Sequence, residues 1–400
     1  ALMLMGIRCR YDKFTDKNLI GGHAVEEYAG EFSDHGVRLL STAIMHEYGF
    51  APSEELVSRA VLTLATENSF DSLTDHLNSL PAWDGVPRIN QWLTTYIGAE
   101  DNVYTREVGA KFLTGAIARA LHPGCKFDQM LVLEGPQGIR KSTALRCLAT
   151  GNASPDSGER FTDKALLSSP GGREVLEATS GVWICEAAEL DGMSRRDVTE
   201  LKSFLSRQED KGRPAYARTP VSRPRRFVLA GTTNESRYLQ DDTGNRRFWP
   251  VQVEWADTEA LAADRDQLFA EALHIYRAGE HTPVLSDEAH AIAQQVQASR
   301  RFVEQGWVEA LEGIGYFIPT RGAFAGYQVV RNAEVFERLN IDASRRQGRN
   351  ADQAREAMVA LGWTKHPSNV TINGENTRVF YRPIPPSDED GETIDEPTDF

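Results

Sequence analysis

The 400-residue sequence predicts an α/β protein: a parallel-sheet core with a mainly helical N-terminal region and a small winged-helix-like C-terminal region. Two observations predict the core. From residue 130 onward, short apolar runs alternate with helical patterns, as in a parallel sheet. One of these runs, Met130 to Leu133, leads through a glycine-bearing segment directly into a helical pattern. The predicted regions are 1–122, 123–280, 281–386 and an acidic tail at 387–400.

Composition is typical of a globular protein, with 40% hydrophobic and 26% charged residues. The net charge of −14 is unevenly distributed, because residues 388–400 contain seven acidic residues and no basic one. We expect that tail to be solvated and disordered. The four cysteines form no CxxC pair, which indicates neither a zinc site nor a disulfide framework and suits the cytoplasm. No apolar run approaches the ~20 residues of a membrane span.

Helical periodicity in the N-terminal region is clearest from Pro52 to Leu64 and from about Asn102 to Leu121. Pro and Gly residues between Leu80 and Arg88 indicate a boundary. His122-Pro123-Gly124 ends the second helical pattern and precedes the first core strand. We expect these helices to pack, since none carries a recognisable site.

The segment after Leu133 has the form of a phosphate-binding loop, in which backbone N–H groups and a helix N-terminus hold phosphates. Lys141 is expected to reach the β- and γ-phosphates, and the Ser142 hydroxyl to bind Mg²⁺. The general pattern G-x-x-x-x-G-K-[ST] has Gly where this chain has Arg140. The alternative is an ordinary strand–loop–helix with a chance Lys-Ser pair. The predicted nucleotide-binding residues are Gly135, Pro136, Gln137, Gly138, Ile139, Arg140, Lys141, Ser142 and Thr143.

The next β-prone run, Gly181 to Cys185, ends in Glu186, with Glu189 three residues further on. A nucleotide-hydrolysing site needs an acid at a strand end to hold Mg²⁺ and a group to orient or deprotonate the attacking water. Glu186 suits the first task and Glu189 the second. The alternative for Glu189 is a solvated position in the following helix.

A further strand, Arg226 to Ala230, leads into Gly231-Thr-Thr-Asn234. The Asn234 amide offers a donor and an acceptor to a γ-phosphate or a water, although a turn asparagine is the alternative. Arg246 and Arg247 then follow on a glycine-bearing loop ahead of an apolar strand. Arginine neutralises phosphoryl charge with a rigid fork of donors, which makes either residue a candidate catalytic arginine.

Residues 195–226 contain ten Arg or Lys and only four acids in an otherwise acidic protein, with Phe204 and Tyr216 interleaved. Basic residues beside aromatic ones suit a phosphate backbone and stacked bases. The alternative is a solvated face with local ion pairs. The candidate DNA-binding residues are Lys202, Lys211, Arg213, Arg218, Arg223, Arg225 and Arg226.

The ordered motifs resemble the virulence-associated E family of phage and mobile-element proteins, which is similar to superfamily 3 helicases of the AAA+ class. The resembling pieces cover residues 80–253: Trp83-Asp-Gly-Val-Pro-Arg88, Pro123-Gly-Cys-Lys-Phe-Asp128, Leu133-Glu-Gly-Pro-Gln-Gly138, Glu186-Ala-Ala-Glu-Leu-Asp191, Gly231-Thr-Thr-Asn234 and Thr243-Gly-Asn-Arg-Arg-Phe-Trp249. Each piece alone is weak, whereas the combination is specific.

The resemblance implies ATP and Mg²⁺ as cofactors, held by Lys141, Ser142 and Glu186, with Asn234 sensing the γ-phosphate. It also implies an arginine finger at Arg246 or Arg247, without distinguishing the two, and a DNA-facing hairpin between Lys202 and Arg226. The expected protein is an AAA+-like ATPase motor and DNA helicase, forming a homo-oligomeric ring such as a hexamer, that acts in phage or mobile-element replication in a bacterial cytoplasm. The alternatives are a DNA-binding ATPase switch or loader without unwinding activity, serving for example in phage defence, and a small-molecule phosphotransferase.

The C-terminal region has helical patterns at 331–339 and 351–361, followed by an Asn373-Gly374 hairpin signal. Helices followed by a hairpin indicate a winged helix, in which Arg345, Arg346 and Arg349 could meet DNA phosphates. A small packing domain with a basic rim is the alternative.

Overall fold

A computed structural model describes residues 1–22, 25, 29–151, 160–164, 172–188, 190, 195–213, 219–234, 238–239, 244–300, 305–372 and 375–384. The predicted acidic tail at 387–400 lies outside these ranges. Two compact units are present, residues 1–300 and residues 301–400. None of the helices in the described ranges is both long enough and apolar enough to cross a membrane.

The described helices are α1 (Asp34–Tyr48), α2 (Glu54–Glu67), α3 (Ser72–Ser79), α4 (Trp92–Ile97), α5 (Val103–Leu121), α6 (Lys141–Thr150), α7 (Gly172–Ala178), α8 (Arg195–Leu205), α9 (Thr258–Arg277), α10 (Asp287–Ser299), α11 (Gln305–Leu311), α12 (Asn332–Arg338) and α13 (Arg349–Ala360). The described strands are β1 (Arg8–Asp12), β2 (Lys17–Gly21), β3 (Gly30–Glu31), β4 (Met130–Glu134), β5 (Arg160–Thr162), β6 (Val182–Ala187), β7 (Glu209–Gly212), β8 (Val221–Pro224), β9 (Val228–Thr233), β10 (Phe248–Gln252), β11 (Tyr327–Arg331), β12 (Thr364–Lys365), β13 (Val370–Ile372), β14 (Glu375–Thr377) and β15 (Val379–Pro383).

The predicted parallel sheet is confirmed. Within the described residues it has five strands in the order β10-β4-β9-β6-β5, and every neighbouring pair is parallel. β4 and β9 are buried along their whole length, which is why their first residues read as apolar runs. Because all strands run the same way, the loops after β4, β6 and β9 meet at one edge, where ligands of such sheets bind.

The N-terminal region, predicted to be mainly helical, also contains an antiparallel sheet of β1, β2 and β3. Its helices begin where the sequence provides caps: the side chains of Ser33, Ser53 and Asp71 accept hydrogen bonds from the first turns of α1, α2 and α3. The short strands escape the sequence analysis because their apolar residues are few and do not alternate cleanly.

Helix α5 belongs to the packing core of the parallel sheet, although residue 122 was the predicted end of a separate region. It is buried on nearly all sides, as expected for a helix enclosed by other elements. The Trp183 indole of β6 donates to the Ala116 carbonyl at 3.0 Å, and Trp183 packs against Phe269 of α9. The predicted boundary therefore separates no packing units.

The first unit extends to Arg300, past the predicted boundary at 280. The reason is α10, whose Ala289 and Ala293 join the core around α5 and the parallel sheet. Gln297 of α10 also donates to the Phe248 carbonyl of β10 at 2.8 Å.

The second unit has its own core, which includes Phe336, Met358, Trp363 and Phe380. Its described strands form an antiparallel sheet in the order β11-β15-β12 and a separate β13–β14 hairpin. The predicted helices are therefore present in this unit, as are the two paired strands on either side of the predicted turn. The turn residues Asn373 and Gly374 themselves lie outside the described ranges.

Candidate functional site

The loop between β4 and α6, residues 135–140, begins with a glycine that the packing requires. A Cβ atom on Gly135 would lie 2.2 Å from the Val253 carbonyl oxygen. Gly138 has φ of +88°, a conformation that residues with a side chain rarely adopt. Both glycines of the sequence motif therefore have a structural reason.

Arg140 is the residue that departs from the general loop pattern, and its backbone conformation shows why glycine is usual there. It is the residue before α6 and has φ of +67° and ψ of +31°, in the left-handed region. Glycine is favoured there because a side chain costs about 1–2 kcal/mol in this conformation. Arginine adopts this conformation here, so it adds backbone strain to the loop that glycine would avoid.

Lys141 turns back onto the loop and is only 8% exposed. Its Nζ donates to the carbonyl oxygens of Gly135 at 2.6 Å and Pro136 at 2.9 Å. It also donates to Asn234 Oδ1 at 3.1 Å. Lys141 is therefore the first residue of α6 and part of the packed interior as well as a member of the predicted phosphate-binding segment. Its three oxygen partners mark the place where phosphate oxygens could compete for the ammonium group.

Ser142, Glu186 and Thr232 come together at the same edge. Glu186 is 2% exposed, and its Oε1 accepts hydrogen bonds from Ser142 Oγ at 2.7 Å and Thr232 Oγ1 at 2.6 Å. Within the described part of the chain, Glu186 Oε2 is buried with no hydrogen-bond partner. Burial raises the pKa of Glu186, and the hydrogen bonds from Thr232 and Ser142 oppose that shift.

This donor set fits Mg²⁺. An unpartnered buried carboxylate oxygen beside a hydroxyl offers two hard oxygen ligands, and Mg²⁺ in proteins keeps several waters and binds through one or two carboxylates and substrate phosphates. Across the described ranges, no group of three or more His, Cys, Asp and Glu residues could hold a metal ion by itself. A site completed by phosphate and water suits these residues better than a metal site built wholly from protein.

The structure therefore brings together four predicted site residues, Lys141, Ser142, Glu186 and Asn234. They come from the ends of neighbouring strands β4, β6 and β9, and Asn234 is exposed at the surface of the cluster. Glu189, the predicted water-orienting residue, lies outside the described residues.

Arg246 and Arg247 lie at the opposite edge of the sheet. They precede β10, and Phe248 pairs with Met130, the first residue of β4. The five residues of β4 separate this edge from the loop, a distance of about 16 Å along the strand. Neither arginine joins the loop cluster within one chain.

The two arginines also differ from each other. The Arg247 guanidinium donates to Ser206 Oγ at 3.0 Å and lies 3.7 Å from Asp128 Oδ2. Arg246 is exposed, in a cleft that Lys126, Asp128, Arg247 and His290 also line.

The basic segment forms the hairpin that the resemblance implies, since β7 and β8 pair in antiparallel register. Two of its predicted DNA-binding residues are corrected because they are buried. Lys202 is 7% exposed on α8, and Arg225 is 2% exposed. Arg225 makes a two-point pair with Asp210, with Nε–Oδ2 of 2.7 Å and Nη2–Oδ1 of 2.6 Å. It also packs on the rings of Phe204 and Phe227.

Arg223 and Arg226 are half-buried, and each is paired within the chain, so their contact with DNA stays a prediction. Arg223 pairs with Asp16 in the turn between β1 and β2. Arg226 bonds Asp71 and donates to the Ala120 carbonyl at 2.7 Å. Both partners are distant in sequence, so these pairs are tertiary contacts and not the local ion pairs of a solvated face.

At the exposed part of the hairpin, Lys211 pairs with Glu209 at 2.7 Å, and Arg213 is exposed next to residues that the structure does not describe. Arg218 lies outside the described residues. Lys211 and Arg213 are thus the described members of the set that are exposed.

Sequence reasoning missed a buried network directly before the loop. Glu134, the last residue of β4, is bonded by Arg300 of the α10 terminus and by Tyr238. Its signal was an acid ending a strand that is otherwise fully apolar. Its partners lie more than 100 positions away in sequence, so only the fold reveals them.

The family model of the virulence-associated protein E-like domain matches residues 77–302. Because that match spans more than half of the chain, the protein belongs to this family, which confirms the resemblance drawn from the motifs. A search of the curated proteins found no match.

Two solved structures are similar over most of their length. The apo structure of the NrS-1 C-terminal region is 13% identical, with 94% of this chain and 96% of that chain covered and a TM-score of 0.46. A structure described as SCCmec type IV Cch, active helicase, is 12% identical, with 94% and 92% covered and a TM-score of 0.35. At these values neither likeness carries a functional argument for this chain.

Proposed function

We propose that the protein is an ATP-hydrolysing, DNA-associated motor with an AAA+-like P-loop core, acting as a superfamily 3-type helicase of a phage or mobile element. The observation that carries this proposal is the convergence of Lys141, Ser142, Glu186 and Asn234 at the carboxyl edge of a parallel sheet. Membership of the virulence-associated protein E-like family supports it.

In this proposal the N–H groups of the 135–140 loop and the α6 N-terminus hold the phosphates of ATP. Lys141 exchanges the Gly135 and Pro136 carbonyls for phosphate oxygens. Ser142 and the free oxygen of Glu186 hold Mg²⁺, which supplies charge neutralisation of the transferred phosphoryl group. Asn234, already 3.1 Å from Lys141, orients the γ-phosphate or the attacking water.

The arginines complete the site only if a neighbouring subunit supplies them. They lie about 16 Å along the strand from the loop of their own chain, so a ring in which one subunit's amino edge faces the next subunit's loop is required. Arg246 is the better candidate finger, because it is exposed while Arg247 is held by Ser206.

DNA contact is assigned to the exposed part of the β7–β8 hairpin and to the C-terminal unit. The order α11-β11-α12-α13 followed by β12 and the terminal hairpin strands supports a winged-helix-like interpretation. Arg345 is exposed there, whereas Arg346 donates to the Ile341 carbonyl at 3.2 Å. Side-chain placement of Arg349 lies outside the described set.

ATP hydrolysis measured with and without forked DNA, beside strand displacement on the same fork, tests the proposal. We expect DNA to stimulate hydrolysis and strands to separate, and Lys141→Ala to abolish both. DNA-stimulated hydrolysis without strand separation would instead identify a DNA-binding switch or loader. Hydrolysis indifferent to DNA, with phosphate transferred to a metabolite, would overturn the proposal in favour of a phosphotransferase.

A further inference from the structure

Glu134 directly precedes the 135–140 loop and is fully engaged. Its side chain is 3% exposed. Arg300 binds it at two points, with Nε–Oε2 of 2.9 Å and Nη2–Oε2 of 2.7 Å, and Nε also lies 3.1 Å from Oε1. The Tyr238 hydroxyl donates to Oε1 at 2.8 Å. These hydrogen bonds from Arg300 and Tyr238 hold the Glu134 side chain in place.

The backbone of Glu134 sets where the loop begins. Its carbonyl accepts from the Val253 N–H at 2.7 Å, and the following Gly135 N–H donates to the Thr233 carbonyl at 3.2 Å. Since Gly135 is in contact with Val253, a displacement of Glu134 is passed directly to the first residue of the loop.

Arg300 connects that point to two other parts of the chain. It follows the last turn of α10, and its carbonyl accepts from the Leu239 N–H at 3.0 Å. Tyr238 and Leu239 come shortly after Asn234 in the chain. Arg300 is also the last residue of the first compact unit. One residue thus joins the start of the loop, through its side chain, to Leu239 and the end of α10, through its backbone.

Arg300 and Tyr238 both keep their protons beside Glu134. Burial lowers the pKa of Arg300, but its hydrogen bonds with Glu134 and the Glu134 charge outweigh burial and raise that pKa above its ordinary value. Burial and the Glu134 charge hold the pKa of Tyr238 well above its ordinary value, so its hydroxyl stays a donor.

We propose that Arg300 is a positioning residue that, through Glu134, couples nucleoside triphosphate occupancy of the 135–140 loop to the C-terminal end of α10. The inference rests on the proposed ATP site. Lys141 now holds the Gly135 and Pro136 carbonyls, and turning it to a triphosphate releases them. The start of the loop then shifts with Glu134. Because separating a buried, two-point ion pair is costly, Arg300 moves with Glu134 and displaces the C-terminal end of α10.

Hydrogen–deuterium exchange of the peptide spanning residues 296–312, with and without a hydrolysis-resistant ATP analogue, tests the coupling. We expect the analogue to change exchange in the wild type. Arg300→Lys keeps the positive charge but loses the two-point hydrogen bonding of the guanidinium. In this variant the analogue should still bind but should no longer change the exchange. kcat should fall about tenfold to a hundredfold with KM nearly constant, since the loop is misplaced and not removed.

Arg277→Lys is the matched control. Arg277 ends α9 in the same unit and donates to Asn78 Oδ1 at 2.9 Å, away from the loop, so it should leave both the exchange response and kcat unchanged. Glu134→Gln, of equal volume, should reproduce the loss seen in Arg300→Lys. If Arg300→Lys does not fold, Glu134→Gln and the milder Tyr238→Phe test the coupling instead, by the exchange response and by kcat.

An analogue that binds the wild type without altering exchange at 296–312 overturns the coupling. So does a folded Arg300→Lys or Glu134→Gln protein that keeps both the exchange response and kcat, since that would assign the pair to stability only. A wild-type protein that binds no ATP at all would refute the proposed function itself, which is a separate and distinguishable result.

Discussion

Mutating the two arginines at the amino edge of the sheet separately tests whether the nucleotide site is shared between subunits. We expect Arg246→Ala to spare ATP binding and to lower turnover by about 10³-fold or more, as loss of a finger does in other phosphate-loop enzymes. Arg247→Ala removes hydrogen bonds to Ser206 and to the Gly244 carbonyl. Its main expected effect is local destabilisation, with a smaller loss of turnover.

The size of the loss in turnover distinguishes the competing explanations for Arg246. If Arg246 made only an exposed ion pair, its loss would cost at most about 1 kcal/mol, or about fivefold. A direct role within its own chain is excluded by the ~16 Å that β4 places between this edge and the loop. A thousandfold loss with ATP binding intact therefore requires that Arg246 act on a neighbour's nucleotide.

Mixing two nearly inactive proteins makes the test decisive. Lys141→Ala has an intact Arg246, and the double variant Arg246→Ala, Arg247→Ala has an intact Lys141. In a mixed ring, some sites pair an intact loop with an intact arginine, so ATPase activity should partly return. Mixing two preparations of Lys141→Ala is the control and should restore nothing. If assemblies verified as mixed show no recovery at any ratio, the role in trans is refuted.

Three further predictions concern single residues. Arg225→Ala should lower the free energy of unfolding by about 3–5 kcal/mol in urea titrations, because it strands the buried Asp210 charge. It should not change the salt dependence of DNA binding; a reduced slope would restore the DNA role. Arg140→Gly should raise the free energy of unfolding by about 1 kcal/mol, because glycine accepts the positive φ, and a lower thermal midpoint would contradict this. Glu186→Gln should abolish hydrolysis without destabilising the fold. Burial raises the pKa of Glu186, so its ionised form is disfavoured in the folded state. The thermal midpoint of Glu186→Gln should therefore exceed that of the wild type once the pH rises above the ordinary pKa of a glutamate. A variant less stable than wild type at neutral pH would refute this.

Local patterns were enough to predict the parallel sheet and the residues at its carboxyl edge. Strands that are buried on both faces must be apolar along their length, so β4 and β9 stand out in the sequence. Polar residues at the end of β6 or after β4 and β9, such as Glu186, Ser142 and Asn234, then fall on one edge because parallel strands end together. For this reason the residues of the loop cluster can be predicted from the sequence.

The burial and the partners of the charged side chains depend on the tertiary structure. Arg225 and Arg213 look alike in the sequence, yet one is enclosed with Asp210 and the other is exposed. Arg246 and Arg247 are adjacent, yet Arg246 is exposed while Arg247 is held by contacts that include Ser206 and Asp128. An arginine's role depends on which carboxylates come within a few ångströms, and these lie anywhere along the chain.

The same reason applies to Glu134 and Arg300, which are 166 positions apart and form one buried pair. Hydrophobic periodicity constrains which face of an element is buried, but it carries no information about which distant charge will meet which. Partner choice is a property of three-dimensional packing, and it separates the buried arginines of this protein from those left to meet a phosphate.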